Sequence, residues 1–166
     1  MKVVAVLTAR VGSTRLPGKT MYPLDGRAAI ERVIHRVKLS DSIDELVLAI
    51  PHTSCDAVLK NRGEANDIGV YQGSEEDVLG RTLEAAEQTD ADVIIRIACD
   101  CPLVSPTLID GCVSELFTTG AEYVSNKLDR TFPLGFGVEV FTYESFKKVD
   151  EKTTTAAQRE HVTLYY

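Results

Sequence analysis

Short, continuous apolar runs alternate along this chain with segments of helical period, and that alternation limits the architecture more than any other feature. Residues 2–8 are almost entirely apolar and rich in valine, the pattern of a strand buried on both faces. Residues 45–50, 68–71 and 92–98 repeat it, the first of these stopped by Pro51. Helical stripes lie between. Ile30, Val33, Ile34 and Val37 fall at i, i+3, i+4 and i+7 within 28–38. A weaker helix is expected over 54–65. Ser74-Glu75-Glu76-Asp77 opens the next like a capping box, and Val78, Leu79, Thr82, Leu83 and Ala86 carry its stripe. Ser105-Pro106 makes an N-cap and first-turn pair, Ile109, Cys112, Val113, Leu116 and Phe117 line one face, and Gly120 ends that helix. Strands over 122–127 and 137–141 and a closing helix over 156–166 complete the pattern. The alternation predicts an α/β fold, a mostly parallel sheet with helices on both faces. Such sheets bind ligands beyond the carboxyl ends of their strands, which directs attention to loops 8–20, 51–55, 72–77 and 99–104.

At 166 residues the chain fits one domain, and 44% hydrophobic against 26% charged residues excludes a disordered or collagen-like class. The early apolar run 3–7 is too short to span a bilayer or form a signal-peptide core, so a cytoplasmic protein without a membrane partner is expected. Cys55, Cys99, Cys101 and Cys112 then read as free thiols, and no C-x-x-C spacing points to structural zinc. The net charge of −7 argues against general nucleic-acid binding. The distribution is uneven. Residues 1–38 carry eight Lys/Arg and two acids, a net of +6, which leaves 10 basic and 23 acidic residues, a net of −13, over 39–166. Arg32, Arg36 and Lys38 read as the polar coat of one helix. The remaining cations suit a small anion.

Three of those cations, Arg10, Arg15 and Lys19, belong to the loop Ala9-Arg10-Val11-Gly12-Ser13-Thr14-Arg15-Leu16-Pro17-Gly18-Lys19-Thr20, directly after the first strand. Glycines let backbone N–H groups approach phosphate oxygens, small hydroxyls add donors, and Arg10, Arg15 and Lys19 neutralise charge. Gly18-Lys19-Thr20 ends like a Walker A loop, but five residues separate Gly12 from Gly18 where that motif has four, and Pro17 removes an N–H from the cradle. The fourth strand delivers Cys99-Asp100-Cys101-Pro102. A carboxylate there suits a hard divalent cation bridging nucleotide phosphates; capping of the following turn is the structural alternative. Cys99 and Cys101 should face opposite sides.

The loop 9–19 resembles the signature of the cytidylyltransferases that activate acidic sugars, the ketodeoxyoctonate and acylneuraminate cytidylyltransferases, and most of all their spore-coat polysaccharide branch. Further segments match that branch in order: Glu76-Asp77-Val78-Leu79-Gly80-Arg81, Arg96-Ile97-Ala98-Cys99-Asp100-Cys101-Pro102-Leu103-Val104, Phe132-Pro133-Leu134-Gly135-Phe136-Gly137-Val138-Glu139-Val140-Phe141 and Gln158-Arg159-Glu160-His161-Val162-Thr163. The resemblance implies a Rossmann-like nucleotide-diphospho-sugar transferase fold and the reaction of CTP with a sugar to give CMP-sugar and pyrophosphate. It implies that Arg10, Arg15 and Lys19 hold the triphosphate, that Ala9, Gly12 and Ser13 contact the nucleotide, and that Asp100 binds Mg2+. Asp77 and Arg81 are nucleotide-side candidates, an i, i+4 ion pair being their alternative. Glu139, Glu160 and His161 are sugar-side candidates, the alternatives being an exposed strand carboxylate and an exposed helix turn.

Two departures accompany the match. Many members of the branch carry Asp where Gly137 stands. Members also continue past the Arg-Glu-His segment into a strand with a Thr-Val-Asp-type motif that supplies a second metal carboxylate. The expectation is therefore a single nucleotidyltransferase-like domain over 1–166 without the family's C-terminal segment, with Glu160 as the available second carboxylate and impaired turnover. The rivals are a non-catalytic nucleotide- or sugar-nucleotide-binding module and a glycosyltransferase of similar fold, whose D-x-D metal motif would have to be Asp90-Ala91-Asp92 at a helix–strand junction. The partners expected are CTP and a sugar. A homodimer is left open, with Tyr165 and Tyr166 as core or interface aromatics.

Overall fold

Strand β1 (Val3–Thr8), the valine-rich run, is buried along its whole length at the centre of the sheet. The structure is a computed structural model and describes residues 1–13, 15–129 and 131–166. Thr14, one of the loop hydroxyls singled out above, lies outside the described residues, as does Arg130. After β1 comes a small hairpin, β2 (Pro23–Leu24) and β3 (Arg27–Ala28). Its turn residues Asp25 and Gly26 have φ 49° and 75°, the double positive φ that an Asp-Gly turn serves. In the main sheet β1 pairs in parallel with β4 (Glu45–Pro51) on one side and β6 (Val93–Ala98) on the other. Strand β5 (Gly69–Gly73) extends the β4 edge in parallel. Beyond β6 the sheet turns antiparallel, with β8 (Glu139–Thr142) inserted between β6 and β7 (Tyr123–Ser125), so the order is β5-β4-β1-β6-β8-β7. The chain goes to one side of β1 for β4 and returns on the other for β6. The carboxyl ends of β1 and β6 therefore flank a topological switch point.

Period-two alternation divides the core. Val3, Ala5 and Leu7 join α1 (Ala29–Val37), α2 (Ala57–Ala65) and α4 (Pro106–Thr119) on one face. Val4 and Val6 join α3 (Val78–Gln88) and α5 (Tyr143–Lys152) on the other, with α6 (Ala156–His161) against α3. The stripe Ile30, Val33, Ile34 and Val37 is buried as its spacing predicts, and each such aliphatic side chain contributes about 1.5–3 kcal/mol relative to exposure. Among the described residues no helix is long and apolar enough to cross a membrane.

Several boundaries differ from the sequence reading, each for a local reason. The closing helix stops at His161 rather than 166, because Val162 turns to φ 64° and sinks fully into the α3–α5 core. Tyr166 leaves the helix to stack on Tyr123, ring centroids 4.3 Å apart. Helix α2 starts at Ala57, after a turn in which the Asp56 N–H donates to the Thr53 carbonyl. Strands β7 and β8 are shorter than or shifted from 122–127 and 137–141. Helix α5 has no counterpart in the sequence reading; its buried apolar side chains are Phe146 and Val149, too thin a stripe to stand out, although Thr142 caps it by accepting the Ser145 N–H at 3.2 Å.

Helix α3 begins one turn later than the Ser74 cap suggested. Asp77 is its N-cap, accepting the Gly80 N–H at 2.8 Å, while Ser74 Oγ accepts the Asp77 N–H at 3.1 Å. Arg159 of α6 clamps the same carboxylate, its Nε at 2.8 Å from Oδ1. Glycine is required at 80 because a Cβ would stand 2.6 Å from Asp77 Oδ2 and 2.9 Å from Arg159 Nη2. Gly→Ala inside a helix ordinarily stabilises by about 1 kcal/mol. Gly80→Ala should instead destabilise by about 1 kcal/mol, the scale of a lost cap, and should become stabilising in an Asp77→Ala background. Urea unfolding of the four-member mutant cycle measures this; a stabilising Gly80→Ala in the otherwise native chain contradicts it.

Candidate functional site

The loop after β1 is folded by its own backbone. The Val11 carbonyl accepts the Ser13 N–H at 2.7 Å and the Gly18 N–H at 3.0 Å, so Ser13 and Gly18 are both tied back to Val11. Gly18 takes φ 70°, a left-handed geometry that suits glycine, and starts a single turn over Lys19–Met21. That turn brings Lys19 over the end of β6. The β1–β6 pairing continues one residue beyond the strands through the Cys99 N–H and the Thr8 carbonyl, 3.0 Å apart, and sets Asp100 at the mouth. Lys19 Nζ meets Asp100 Oδ2 at 2.5 Å.

The result is a polar cleft of about 260 Å³ at the switch point. Ala9, Arg10, Ser13, Arg15, Lys19 and Asp100 line it, as do Arg81, Glu160 and His161. Of the nucleotide and metal candidates, Gly12 and Asp77 are outside this lining; Gly12 borders the loop beside Glu75, and Asp77 is consumed by the cap of α3 and by Arg159. Asp77 and Arg81 do not form the i, i+4 ion pair considered above. Arg81 turns inward, is 2% exposed, and donates through Nη1 to the Ser74 carbonyl. Burial pushes its pKa down to about 10 against the opposing charge of Asp56, so it remains a cation at neutral pH. Burial alone would raise the Asp100 carboxyl; the hydrogen bond and charge of Lys19 outweigh it and hold the group below the ordinary aspartate value. Glu160 pairs with Arg10 at 3.5 Å.

Three buried polar atoms at this cleft have no hydrogen-bond partner: Thr20 Oγ1, Arg81 Nε and Arg96 Nε. Buried groups of this kind are nearly always satisfied in folded proteins, so three beside one cleft single it out as the candidate site. The sequence reading did not assign Thr20 or Arg96 a role. Arg96 had a signal of its own, as the lone charge in otherwise apolar β6.

Arg96 and Ala98 also line a second pocket, of about 140 Å³, walled by Phe132, Leu134 and Phe136. Lys127, Cys101 and Glu139 complete it. Glu139 is neither exposed nor free. It is 4% exposed and accepts Arg96 Nη1 at 2.6 Å, Lys127 Nζ at 3.0 Å, Tyr123 Oη at 3.3 Å and Thr163 Oγ1 at 2.5 Å. Four donors surround this carboxylate, three on Oε1 and one on Oε2, so Glu139 shapes the pocket through the groups it holds. Glu160 and His161, its companions as sugar-side candidates, line the first cleft instead. Cys99 is buried and Cys101 half-buried, as their alternation predicts, and burial raises both thiols, Cys101 to about 11. Both are protonated at neutral pH and poorly suited to nucleophilic work. Asp90-Ala91-Asp92 lies at the opposite end of β6, about 20 Å along the strand, where Asp92 Oδ2 accepts the Lys2 N–H at 2.6 Å. That placement removes it from the cleft.

Comparison with known proteins accords with this geometry. A family model described as cytidylyltransferase matches residues 4–166. The chain is 33% identical to the spore coat polysaccharide biosynthesis protein SpsF of Bacillus subtilis over 168 residues, covering 98% of this chain and 69% of that protein. It is 36% identical to the 3-deoxy-manno-octulosonate cytidylyltransferase of Maricaulis maris over 121 residues, 70% of this chain and 45% of that one. The solved structure of a cytidylyltransferase from Leptospira borgpetersenii superposes with a TM-score of 0.95 at 32% identity, over 99% of this chain and 70% of that one. The chain belongs to the cytidylyltransferase family, nucleotidyltransferases of Rossmann-like fold.

Glu139 carries a pH signature. Burial raises its pKa, but the charges of Arg96 and Lys127 and the Thr163 and Lys127 hydrogen bonds more than reverse this, so it sits below the free value of 4.5. A depressed carboxyl contributes stability above its unfolded pKa and loses it as pH falls through the folded one. Glu139→Gln should cost about 3 kcal/mol near pH 7, and the gap from the native chain should narrow steadily below about pH 4.5. Urea unfolding at several pH values tests it; a gap independent of pH contradicts the ion-pair assignment.

Proposed function

We propose that this protein transfers CMP from CTP to a sugar hydroxyl and releases pyrophosphate, in the synthesis of a polysaccharide or glycoconjugate. The reading rests on the gathering of Arg10, Arg15 and Lys19 beside Asp100 in one cleft at the carboxyl ends of β1 and β6. Family membership and the likeness to SpsF support it. Arg10, Arg15 and Lys19 hold the triphosphate, with Ala9 and Ser13 contributing backbone and hydroxyl contacts and the buried Arg81 adding its charge from behind the cleft. The acceptor lies toward the second pocket, with Arg96 between the two, and Glu160 and His161 close the cleft over it. The acceptor hydroxyl attacks the α-phosphate in line. Charge grows on the departing pyrophosphate, and the preorganised cations stabilise it without a covalent intermediate. The reaction belongs to the cytoplasm, where nucleoside triphosphates are available.

Among the described residues no group of three or more His, Cys, Asp or Glu side chains gathers at one point. That donor set fits a hard cation that arrives with its phosphates, not a resident ion in a protein cage. Asp100 would hold Mg2+, and the ion would supply charge neutralisation on the phosphate oxygens. Before ligands bind, Asp100 and Lys19 neutralise each other. With ligand present, Lys19 would be free to pair with a phosphate and Asp100 to hold the ion.

A second reading, a nucleotide-binding module with impaired turnover, draws on the single carboxylate at the end of β6. Pyrophosphate release from CTP and Mg2+ with a panel of acidic and neutral sugars separates the two. Sugar-dependent release that Asp100→Asn abolishes supports transfer. Tight CTP binding with release below about 1 per second for every sugar supports the module. Arg15→Ala and Lys19→Ala should each weaken CTP binding by about 1.5–3 kcal/mol and CMP binding by less. Equal losses for CMP and CTP contradict the assignment of these residues to the terminal phosphates.

A further inference from the structure

The phosphate-side loop is anchored by a buried carboxylate that no motif marks. Asp56 occupies the N-cap position of α2, where an aspartate ordinarily accepts an N–H of its own first turn. It makes no such bond. Its Oδ1 instead accepts the Val11 N–H at 2.7 Å, from a loop 45 residues earlier. Its Oδ2 accepts the Thr53 hydroxyl at 2.5 Å, which fixes the carboxylate's direction, and the residue is 1% exposed. Val11 is the residue to which the loop is tied, through the Ser13 and Gly18 N–H groups on its carbonyl. One bond from Asp56 therefore fixes the base of the segment that carries Ser13, Arg15 and, beyond Gly18, Lys19. Asp56 is also the leading charge that offsets the burial of Arg81, the cation behind the same cleft.

We propose that Asp56 is a positioning residue for triphosphate binding: through the Val11 N–H it holds the base of the loop that follows β1. This rests on the function proposed above. The geometry explains a choice that stability alone does not. A cap bond given up locally is typically worth about 1 kcal/mol to the helix, and here the carboxylate is directed across the switch point instead.

Two variants separate its parts. Asp56→Asn keeps an oxygen for the Val11 N–H and loses the charge; Asp56→Ala loses both. Calorimetric titration with CTP and Mg2+, well below each variant's Tm, should show affinity falling in the order wild type, Asp56→Asn, Asp56→Ala, with Asp56→Ala weaker by about tenfold or more. Hydrogen exchange of the Val11 and Gly18 amides should be faster in Asp56→Ala and near normal in Asp56→Asn. A purely structural role lowers Tm in both variants and leaves the affinity of the folded protein for CTP unchanged, and that result overturns the proposal. If the wild type binds no CTP, the proposed function fails, and amide exchange decides the anchor: undiminished Val11 protection in Asp56→Ala refutes it. If Asp56→Ala does not fold, Asp56→Asn decides through its affinity, and wild-type affinity in that variant contradicts the proposal.

Discussion

The parallel pairing of β1 with β6 is the constraint on which the rest of the site depends. Thr8 lies opposite Ala98, and the ladder runs one step further through Cys99. The last strand residue before the cationic loop is thereby set beside the end of β6, just before Asp100. The apolar interior of both strands makes the register costly to change, because a one-residue slip would turn Val4 and Val6 toward the wrong core. The chemistry at the mouth is therefore positioned by the least chemical part of the chain.

On this frame the charges divide into two groups. Cations on α1 and near it are tied to neighbouring structure: Arg32 Nη2 to Asp25 Oδ2 at 2.9 Å, Arg36 Nε to the Val104 carbonyl at 2.6 Å, Lys38 Nζ to the Asn66 carbonyl at 2.5 Å. Those of the first loop face the cleft, where Lys19 and Arg10 are each balanced by one acid, Asp100 and Glu160. A cleft neutralised in this way stays folded without ligand and still offers cations to an incoming polyanion. The anchoring carboxylate of Asp56 and the inward-turned Arg81 extend the same balance beneath the surface.

Much of this was legible in the sequence. Buried valine runs and the i, i+3, i+4 stripe fixed four parallel strands and most helices, and the glycine-bearing basic loop with Asp100 pointed to the end of the sheet where the polar cleft lies. What escaped depends on contacts far apart in the chain. Asp77 read as a nucleotide contact because its partner Arg159 comes 82 residues later. Glu139 read as exposed or substrate-facing because Arg96 and Thr163 reach it from different elements. Asp56 sits at an ordinary helix start, and only the fold shows that its oxygen has turned to Val11. Helix α5 was missed for a local reason, its thin apolar stripe, and the end of α6 because a buried Val162 overrode helix continuation.

The central claim is that this cleft recognises a cytidine triphosphate together with a divalent cation. Calorimetric titration of the wild-type chain with CTP, UTP, ATP and GTP, each with and without Mg2+, tests it most directly. The account predicts saturable binding of CTP in preference to the other three, strengthened by Mg2+ and weakened when the β- and γ-phosphates are removed. Preference for ATP, or affinity indifferent both to the metal and to the terminal phosphates, would contradict it.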